Sequence, residues 1–272
     1  MIQKKICFIG AGNMTRSIAS GLVNSGYPAE LIHATNPSEA KLQLLSQQLG
    51  IKVSHDNRQA AIEADVIVLA VKPQLMQQVC EALSDLDLSQ KLIITIAAGV
   101  AASRYHDYFK QPIKLIRTMP NTPTQIGYGM TGLYAQPSVS AQDKALCEQI
   151  MQSGGETVWV SKEDDLNQVI ALAGSSPAYF FLMMEAMIDS AKQDGVDEDL
   201  ARQLVQQAAL GAAQMVKQNP QLSAGQLREN VTSKGGTTAQ ALAAFEAANL
   251  RGIVRNAMHD CMDRAAEMAK QF

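Results

Sequence analysis

Two stretches at opposite ends of the sequence carry residue types suited to holding anions. Leu227-Arg-Glu-Asn-Val-Thr-Ser-Lys-Gly-Gly-Thr-Thr238 gathers hydroxyls and a glycine pair into a turn that should open a helix. Free N–H groups at such a turn, with the positive end of the helix dipole behind them, suit a small anion. Near the other end, Ile6-Cys-Phe-Ile-Gly-Ala-Gly-Asn-Met14 runs a short apolar strand into a Gly-x-Gly turn of the kind that lets a backbone approach a dinucleotide pyrophosphate. Cofactor at one end and substrate at the other is the reading this pairing suggests. For the later stretch a plainer reading stands beside it: Ser and Thr are preferred at helix starts in any case, so the turn could be no more than a cap.

In the dinucleotide fingerprint Gly10 permits the tight turn and Gly12 the close approach, while the third position holds Thr15 where Gly or Ala is expected. A helix from about Asn13 to Val23 should supply the N–H groups for phosphate. Some twenty residues on, NAD-selective sites place a carboxylate at the end of the second strand, and this chain has Thr35-Asn36-Pro37-Ser38 there. With no acid to repel a 2'-phosphate, and with Ser38 and Lys41 able to donate to one, NADPH is favoured over NADH; a surface turn without preference is the alternative. Ala70-Val71-Lys72-Pro73 ends a central strand at the ligand edge of the sheet, where Lys72 either neutralises phosphate or is simply solvated. Ala97-Ala-Gly99 and Met119-Pro-Asn-Thr-Pro123 follow at the same edge and should leave room for nicotinamide, with Asn121 as the polar contact.

The elements that must position these residues follow from periodicity. Short β-branched runs at Lys5 to Ile9, Ile32 to Thr35, Val66 to Val71, Leu92 to Ile96, Lys114 to Arg117, Met130 to Ala135 and Glu156 to Val160 alternate with longer helical stretches. That alternation indicates a Rossmann-type, doubly wound parallel sheet covered on both faces. After Val160 the composition turns to Ala, Gln, Met and Leu at helical spacing, so a dinucleotide-binding domain over 1–162 and an all-helical domain over 163–272 are expected. Gly195 suits a helix C-cap and Pro220 cannot continue one. The run Ala208 to Met215 is apolar around much of its circumference. Pairing with a second copy would cover it, a compact monomeric bundle being the alternative.

Bulk properties narrow the function classes. At 272 residues, 47% hydrophobic and 18% charged, the chain has the size for two globular domains. A net charge of -3 without a Lys/Arg cluster removes the footprint of a nucleic-acid binder. The apolar run after Lys4 and Lys5 is too short for a signal-peptide core, and the apolar helix around Ala178 to Ile188 falls short of a membrane span and is interrupted by Glu185, so a cytoplasmic protein off the membrane is expected. Cys7, Cys80, Cys147 and Cys261, with His33, His55, His106 and His259, show no ligand spacing, so no metal is expected. Cys7, inside the first strand, reads as a small buried thiol rather than a nucleophile.

Taken together, Gly10-Ala-Gly-Asn-Met14, Ala70-Val-Lys-Pro73, Arg117-Thr-Met-Pro-Asn121, Ala173-Gly-Ser-Ser-Pro-Ala-Tyr179 and Val231-Thr-Ser-Lys-Gly-Gly-Thr-Thr238 resemble pyrroline-5-carboxylate reductase over almost the whole length. The resemblance implies reduction of a cyclic imine, 1-pyrroline-5-carboxylate, to L-proline with NAD(P)H, the last step of proline biosynthesis. It implies a small-molecule substrate whose carboxylate is held by Ser233, Gly235, Gly236 and Thr237 with Ser175 nearby, and whose ring nitrogen is contacted by the catalytic Thr238. Cofactor contacts are then expected at Gly10, Gly12, Asn13, Met14, Asn36, Ser38, Lys41, Ala70, Val71, Lys72, Pro73 and Asn121. NADPH is the expected donor, with NADH as the other candidate. The resemblance also implies a homodimer through the helical domain, open to assembly into a larger oligomer, with each site drawing on both subunits. Ser176 stands where the family generally has Gly, and Lys234 where Pro is common. An NADPH-dependent reductase of another small cyclic imino acid is the alternative. A ketone reductase of the 3-hydroxyacid dehydrogenase group would place a Lys between Asn167 and Tyr179, where there is none. A nucleotide-sensing protein without turnover would have no use for Thr238 beside its glycine pair.

Overall fold

The structure is a computed structural model and describes residues 3 to 271. By packing, the chain forms two compact units: one takes in the chain up to Pro177 and again from Asp260, and the other spans Ala178–His259.

A single sheet organises the first unit. Its strands are β1 (Ile6–Ile9), β2 (Ile32–Thr35), β3 (Lys52–Ser54), β4 (Val66–Leu69), β5 (Leu92–Thr95), β6 (Lys114–Met119), β7 (Gly129–Ala135) and β8 (Gly155–Trp159), in the order β3-β2-β1-β4-β5-β6-β7-β8. The connecting helices are α1 (Asn13–Asn24), α2 (Glu39–Leu49), α3 (Asn57–Glu63), α4 (Pro73–Glu81), α5 (Ala102–Phe109) and α6 (Ala141–Gln152). Successive strand residues point to opposite faces, so the apolar runs build two cores. Ile6 and Phe8 pack with Val66, Val68 and Ile94 under Ile18 and Leu22 of α1, Leu42 of α2 and Ile150 of α6. Cys7 and Ile9 pack with Ile67, Leu69 and Ile93 over Met76 and Cys80 of α4 and Tyr105 and Phe109 of α5. All four residues of β4 are buried, as its apolar sequence requires. The strand order reverses between β1 and β4, which creates the crevice where ligands of doubly wound folds bind.

Two features depart from the expected parallel sheet. β3 is an additional strand; it has three residues, none of them buried, and so leaves no apolar run to read. β7 runs antiparallel to β6, and β8 lies parallel to β7. The segment between β6 and β7 holds only a short 3-10 turn, Thr122–Ile126, and Gly127 closes it at φ 76°. A parallel return needs a crossover of a dozen or more residues, so the chain must reverse here. α6 supplies such a crossover between β7 and β8.

The chain continues into α7 (Asp165–Val169) and a π-helical turn, Ile170–Gly174. Leu166, Val169, Ile170 and Ala171 are buried within the first unit, where Val169 packs on β7 at Gly132. Helical composition therefore begins before the change of packing unit, and the composition boundary at 162/163 and the packing boundary after Pro177 record different things.

The remaining helices are α8 (Ser176–Gln193), α9 (Glu198–Gln218), α10 (Ala224–Asn230), α11 (Thr237–Ala247) and α12 (Leu250–Gln271). Their ends follow the expected chemistry. Gly195 takes φ 84° and the Val196 N–H returns to the Ala191 carbonyl at 2.9 Å, a left-handed C-cap. Asp197 accepts from the Leu200 N–H, and Ser223 and Gln226 form a reciprocal capping box. α9 stops ahead of Pro220, with the Asn219 side chain donating to the Met215 carbonyl at 2.7 Å. Apolar side chains on α8 are left outside: Phe180 is 64% exposed, Phe181 60% and Leu182 65%. The helical run Asp165–Gln193 is long and apolar enough, by length and composition, to cross a membrane. It exceeds the Ala178 to Ile188 stretch because α7, the π turn and α8 follow without a break.

Candidate functional site

At the switch point the two fingerprint glycines do different work. Gly10 has φ +110°, and a Cβ on it would lie 2.5 Å from the Ala70 carbonyl oxygen. Only glycine lets these strand ends close, with the Gly10 N–H donating to the Thr35 carbonyl and the Ala70 N–H to the Ile9 carbonyl, both at 2.9 Å. Gly12 has an ordinary φ of -83°, and a Cβ on it would meet nothing within 4 Å. It is the N-cap of α1, which no side chain caps. The first turn of α1 thus presents its N–H groups, and the positive end of its dipole, to an open cradle that fits a pyrophosphate. Thr15 explains how the chain tolerates a third position without Gly or Ala. Its buried hydroxyl donates to the Gly10 carbonyl at 2.6 Å, so the loop is tied from inside.

Around this cradle the structure brings together several expected cofactor residues. Gly12, Asn13 and Lys41 line one small cavity with Arg16, a cation that sequence reasoning passed over although it lies one helical turn beyond Gly12. Asn36 accepts from the Ala11 N–H at 3.2 Å, and Ser38 is the N-cap of α2 but makes no capping bond with its hydroxyl. Met14 packs against the core. Ala70 and Val71 leave β4, Lys72 is the N-cap of α4 with its side chain exposed, and Pro73 occupies the first turn of α4, where its missing N–H costs nothing.

One further residue belongs to this end of the site. The segment 35–38 has no carboxylate, but Glu39 follows at the first position of α2. His55 Nε2 lies 2.9 Å from Glu39 Oε2, Gln43 donates to Glu39 Oε1 at 2.9 Å, and His55 Nδ1 lies 2.8 Å from the Asn36 carbonyl. The Asn36 carbonyl and then the Glu39 carboxylate raise the His55 pKa above its usual 6.5. His55 sits just after β3, and because β3 was not legible neither was this contact.

Asn121 is buried and its amide is engaged at both ends. Nδ2 donates to the Ala173 carbonyl and Oδ1 accepts from the Met130 N–H, each at 2.9 Å. These bonds make it a tie between the β6–β7 turn and the π turn. In that turn the Ser175 N–H reaches the Ile170 carbonyl at 2.7 Å, and the Ser176 hydroxyl donates to the Leu172 carbonyl at 2.7 Å. The wider π spacing frees carbonyls, and Asn121 and Ser176 take up two of them. The Ser175 hydroxyl receives a hydrogen bond from the Cys261 thiol at 3.4 Å, which leaves its own proton free to donate. Nearby, Arg117 is buried against Glu163, which also accepts from the Ala102 N–H at 2.6 Å.

In the helical unit the Ser233–Thr238 turn is built as follows. Gly235 lies at φ +73°, the Gly236 N–H donates to the Ser233 carbonyl at 3.0 Å, and Gly236 is the N-cap of α11. A Cβ at Gly236 would come within 2.6 Å of the Ser233 hydroxyl oxygen. No side chain caps α11 and no acid occupies its first turn. The plain capped-helix reading therefore does not describe this turn, since neither Ser233 nor the threonines cap it. Ser233, Gly235, Gly236, Thr237 and Thr238 form one uncapped helix start, with Thr238 and Lys234 exposed.

Among the described residues no group of three His, Cys, Asp or Glu side chains could hold a metal ion. Burial pushes the Cys7 and Cys80 thiols up to about 12, which makes them poor nucleophiles.

A doubly wound sheet with a glycine cradle at its switch point, continued by a helical unit, defines a nicotinamide-dependent oxidoreductase of the Rossmann class. Residues 5–99 match the family described as NADP oxidoreductase, coenzyme F420-dependent, and residues 163–268 match pyrroline-5-carboxylate reductase dimerisation. The chain is 54% identical to the pyrroline-5-carboxylate reductase of Vibrio alginolyticus over 272 residues, covering all of both. Its fold matches the Coxiella burnetii pyrroline-5-carboxylate reductase with a TM-score of 0.92, at 42% identity over 98% of this chain and 99% of that one. The Plasmodium falciparum pyrroline carboxylate reductase with NADP bound matches with a TM-score of 0.89, at 29% identity over 99% of each chain. This chain belongs to the pyrroline-5-carboxylate reductase family.

Proposed function

We propose that the chain reduces 1-pyrroline-5-carboxylate to L-proline, the last step of proline biosynthesis, with NADPH as the preferred donor and NADH as a poorer one. The observation that carries the reading is the uncapped start of α11, with Gly235, Gly236 and Thr238 in one turn, in a chain whose α1 offers a second uncapped start at Gly12.

Gly12, Asn13 and the first turn of α1 hold the pyrophosphate, Ala70 to Pro73 border the nucleotide, and Ser38, Lys41 and Arg16 favour the 2'-phosphate. When bound, the reduced nicotinamide supplies the hydride. The N–H groups of Thr237 and Thr238, aided by the Ser233 and Ser175 hydroxyls, hold the substrate carboxylate. Each charge-assisted bond contributes about 1.5–3 kcal/mol. Thr238 hydrogen-bonds the ring nitrogen. A cyclic imine is basic enough to take its proton from solvent, so orientation and that bond meet most of the requirement without a dedicated acid. This accounts for a site with no His, Asp or Glu in a catalytic role.

Residues 163–272 serve as the substrate-binding and dimerisation domain. The exposed Phe180, Phe181 and Leu182 are covered by a second copy, in a dimer that can assemble further, and the exposed apolar face of α8 lies in that interface and not in a membrane. The protein works in the cytoplasm and does not bind nucleic acid. Oxidation of NADPH and of NADH by the purified protein with 1-pyrroline-5-carboxylate tests the reading, with a six-membered cyclic imino acid and a 2-keto acid as controls. Turnover of a control without turnover of the five-membered imine would overturn it.

A further inference from the structure

We propose that His55 sets the cofactor preference of this enzyme by neutralising the Glu39 carboxylate at the ribose end of the nucleotide site. The inference rests on the reading of Gly10 to Met14 and Asn36 to Lys41 as that site.

Glu39 adjoins Ser38, whose uncommitted hydroxyl is one of the donors for a 2'-phosphate. In NAD-selective folds a carboxylate at the end of the second strand holds the ribose 2'-hydroxyl and would repel a 2'-phosphate, and Glu39 follows that position at the first residue of α2. Here it does not stand alone. His55 bridges the Asn36 carbonyl of the ribose loop and Glu39 Oε2, at 2.8 and 2.9 Å, while Gln43 holds the other carboxylate oxygen. The neighbouring charges are engaged elsewhere. Asp56, the N-cap of α3, accepts from the backbone N–H groups of Arg58 and Gln59, and Arg58 pairs with Asp85. On β3, Lys52 pairs with Glu63, and on β2 His33 bonds Ser54. Lys41 on α2 and Arg16 on α1 border the cavity at Gly12. Among these groups His55 is the one that faces the Glu39 carboxylate, and when protonated it is the cation that offsets it.

The sign follows from the titration. At low pH His55 is charged and the pair is neutral, so a 2'-phosphate meets only Lys41, Arg16 and Ser38. As pH rises through the His55 pKa, the imidazole loses its charge and Glu39 is left uncompensated. NADPH binding then weakens relative to NADH. Both side chains are more than half exposed, so the effect is modest and screened by salt.

The test is the dissociation constant of each cofactor from about pH 6 to about pH 9, for the full-length protein and its Glu39→Gln and His55→Gln variants, at low ionic strength. The 2'-phosphate itself titrates near the start of this range, and Glu39→Gln carries that contribution alone. Relative to Glu39→Gln, the parent should lose about two- to five-fold of its NADPH preference across the range, in keeping with an exposed ion pair. His55→Gln keeps a donor to Glu39 but no charge, and should show the lower preference already at the acid end. Superimposable parent and Glu39→Gln profiles, with both cofactors bound, would overturn the inference and leave the site reading intact. Failure of both cofactors to bind the parent protein would overturn the inference and the site reading together.

Discussion

Single residues in the nucleotide loop separate folding from binding. At Gly12 an added side chain meets no protein atom, so Gly12→Val should leave the melting temperature within a degree or two of the parent while abolishing detectable NADPH binding, read by calorimetry and titration on the same sample. Gly10→Ala should do the reverse in order: at φ +110° and against the Ala70 carbonyl, it should cost about 1–3 kcal/mol or more of stability before any ligand is added. Equal destabilisation by both variants would contradict the open cradle. On the substrate side, Thr238→Ala removes one hydroxyl from an exposed helix start. It should lower kcat about tenfold or more, the worth of one well-placed hydrogen bond, with NADPH affinity unchanged. The glycines and Thr238 were legible because their chemistry is written in residue type. Glu39 was passed over by one position, and Arg16 because a cation on an otherwise ordinary amphipathic helix carries no mark of what it faces.

At the scale of elements, the tie made by Asn121 carries the most weight. It joins the turn that reverses the sheet to the π turn that presents Ser175, and both of its bonds are shielded. Asn121→Ala should lower stability by about 1–3 kcal/mol through the two unpaired backbone groups it leaves. It should also raise the KM for the cyclic imine more than it changes the Kd for NADPH, which steady-state kinetics and a binding titration would separate. A direct nicotinamide contact would show the opposite order. The strands with continuous apolar runs, β1, β4 and β5, could be read from sequence because burial on both faces demands such runs. β3 could not, since a short polar edge strand is defined by its neighbour's free backbone groups. Nor was the direction of β7 legible, because the expected strand ends at Arg117 and Met130 left a connection long enough for a parallel crossover, whereas β6 runs on to Met119 and shortens it. The π turn has no composition of its own and was not read from the sequence; Ser176, in place of the family's usual Gly, lies just past its end with its hydroxyl on the Leu172 carbonyl.

For the whole molecule, the exposed Phe180, Phe181 and Leu182 of α8 lead to the prediction that association contributes to stability. Phe180→Glu should shift the protein toward monomer in sedimentation and lower its melting temperature, and should remove the dependence of that temperature on protein concentration. A variant that stays monomeric yet fully active and equally stable would argue against the dimer. If each active site draws on two subunits, mixing Gly12→Val chains with Thr238→Ala chains should restore activity above the mean of the two parents, because one of the two hybrid sites escapes both lesions. The helical half was legible in outline from composition and from its breakers at Gly195 and Pro220, but which of its apolar residues stay outside depends on packing that periodicity does not contain.

The placement of the four thiols supplies a built-in reporter. Cys7, Cys80 and Cys147 are sealed in the two cores, whereas Cys261 is partly open and touches Ser175. A disulfide dye should therefore label one sulfur per native chain and four after denaturation. The kinetics of that single reaction would track, without isotopes or added fluorophores on the substrate, whatever occupies the neighbourhood of Ser175.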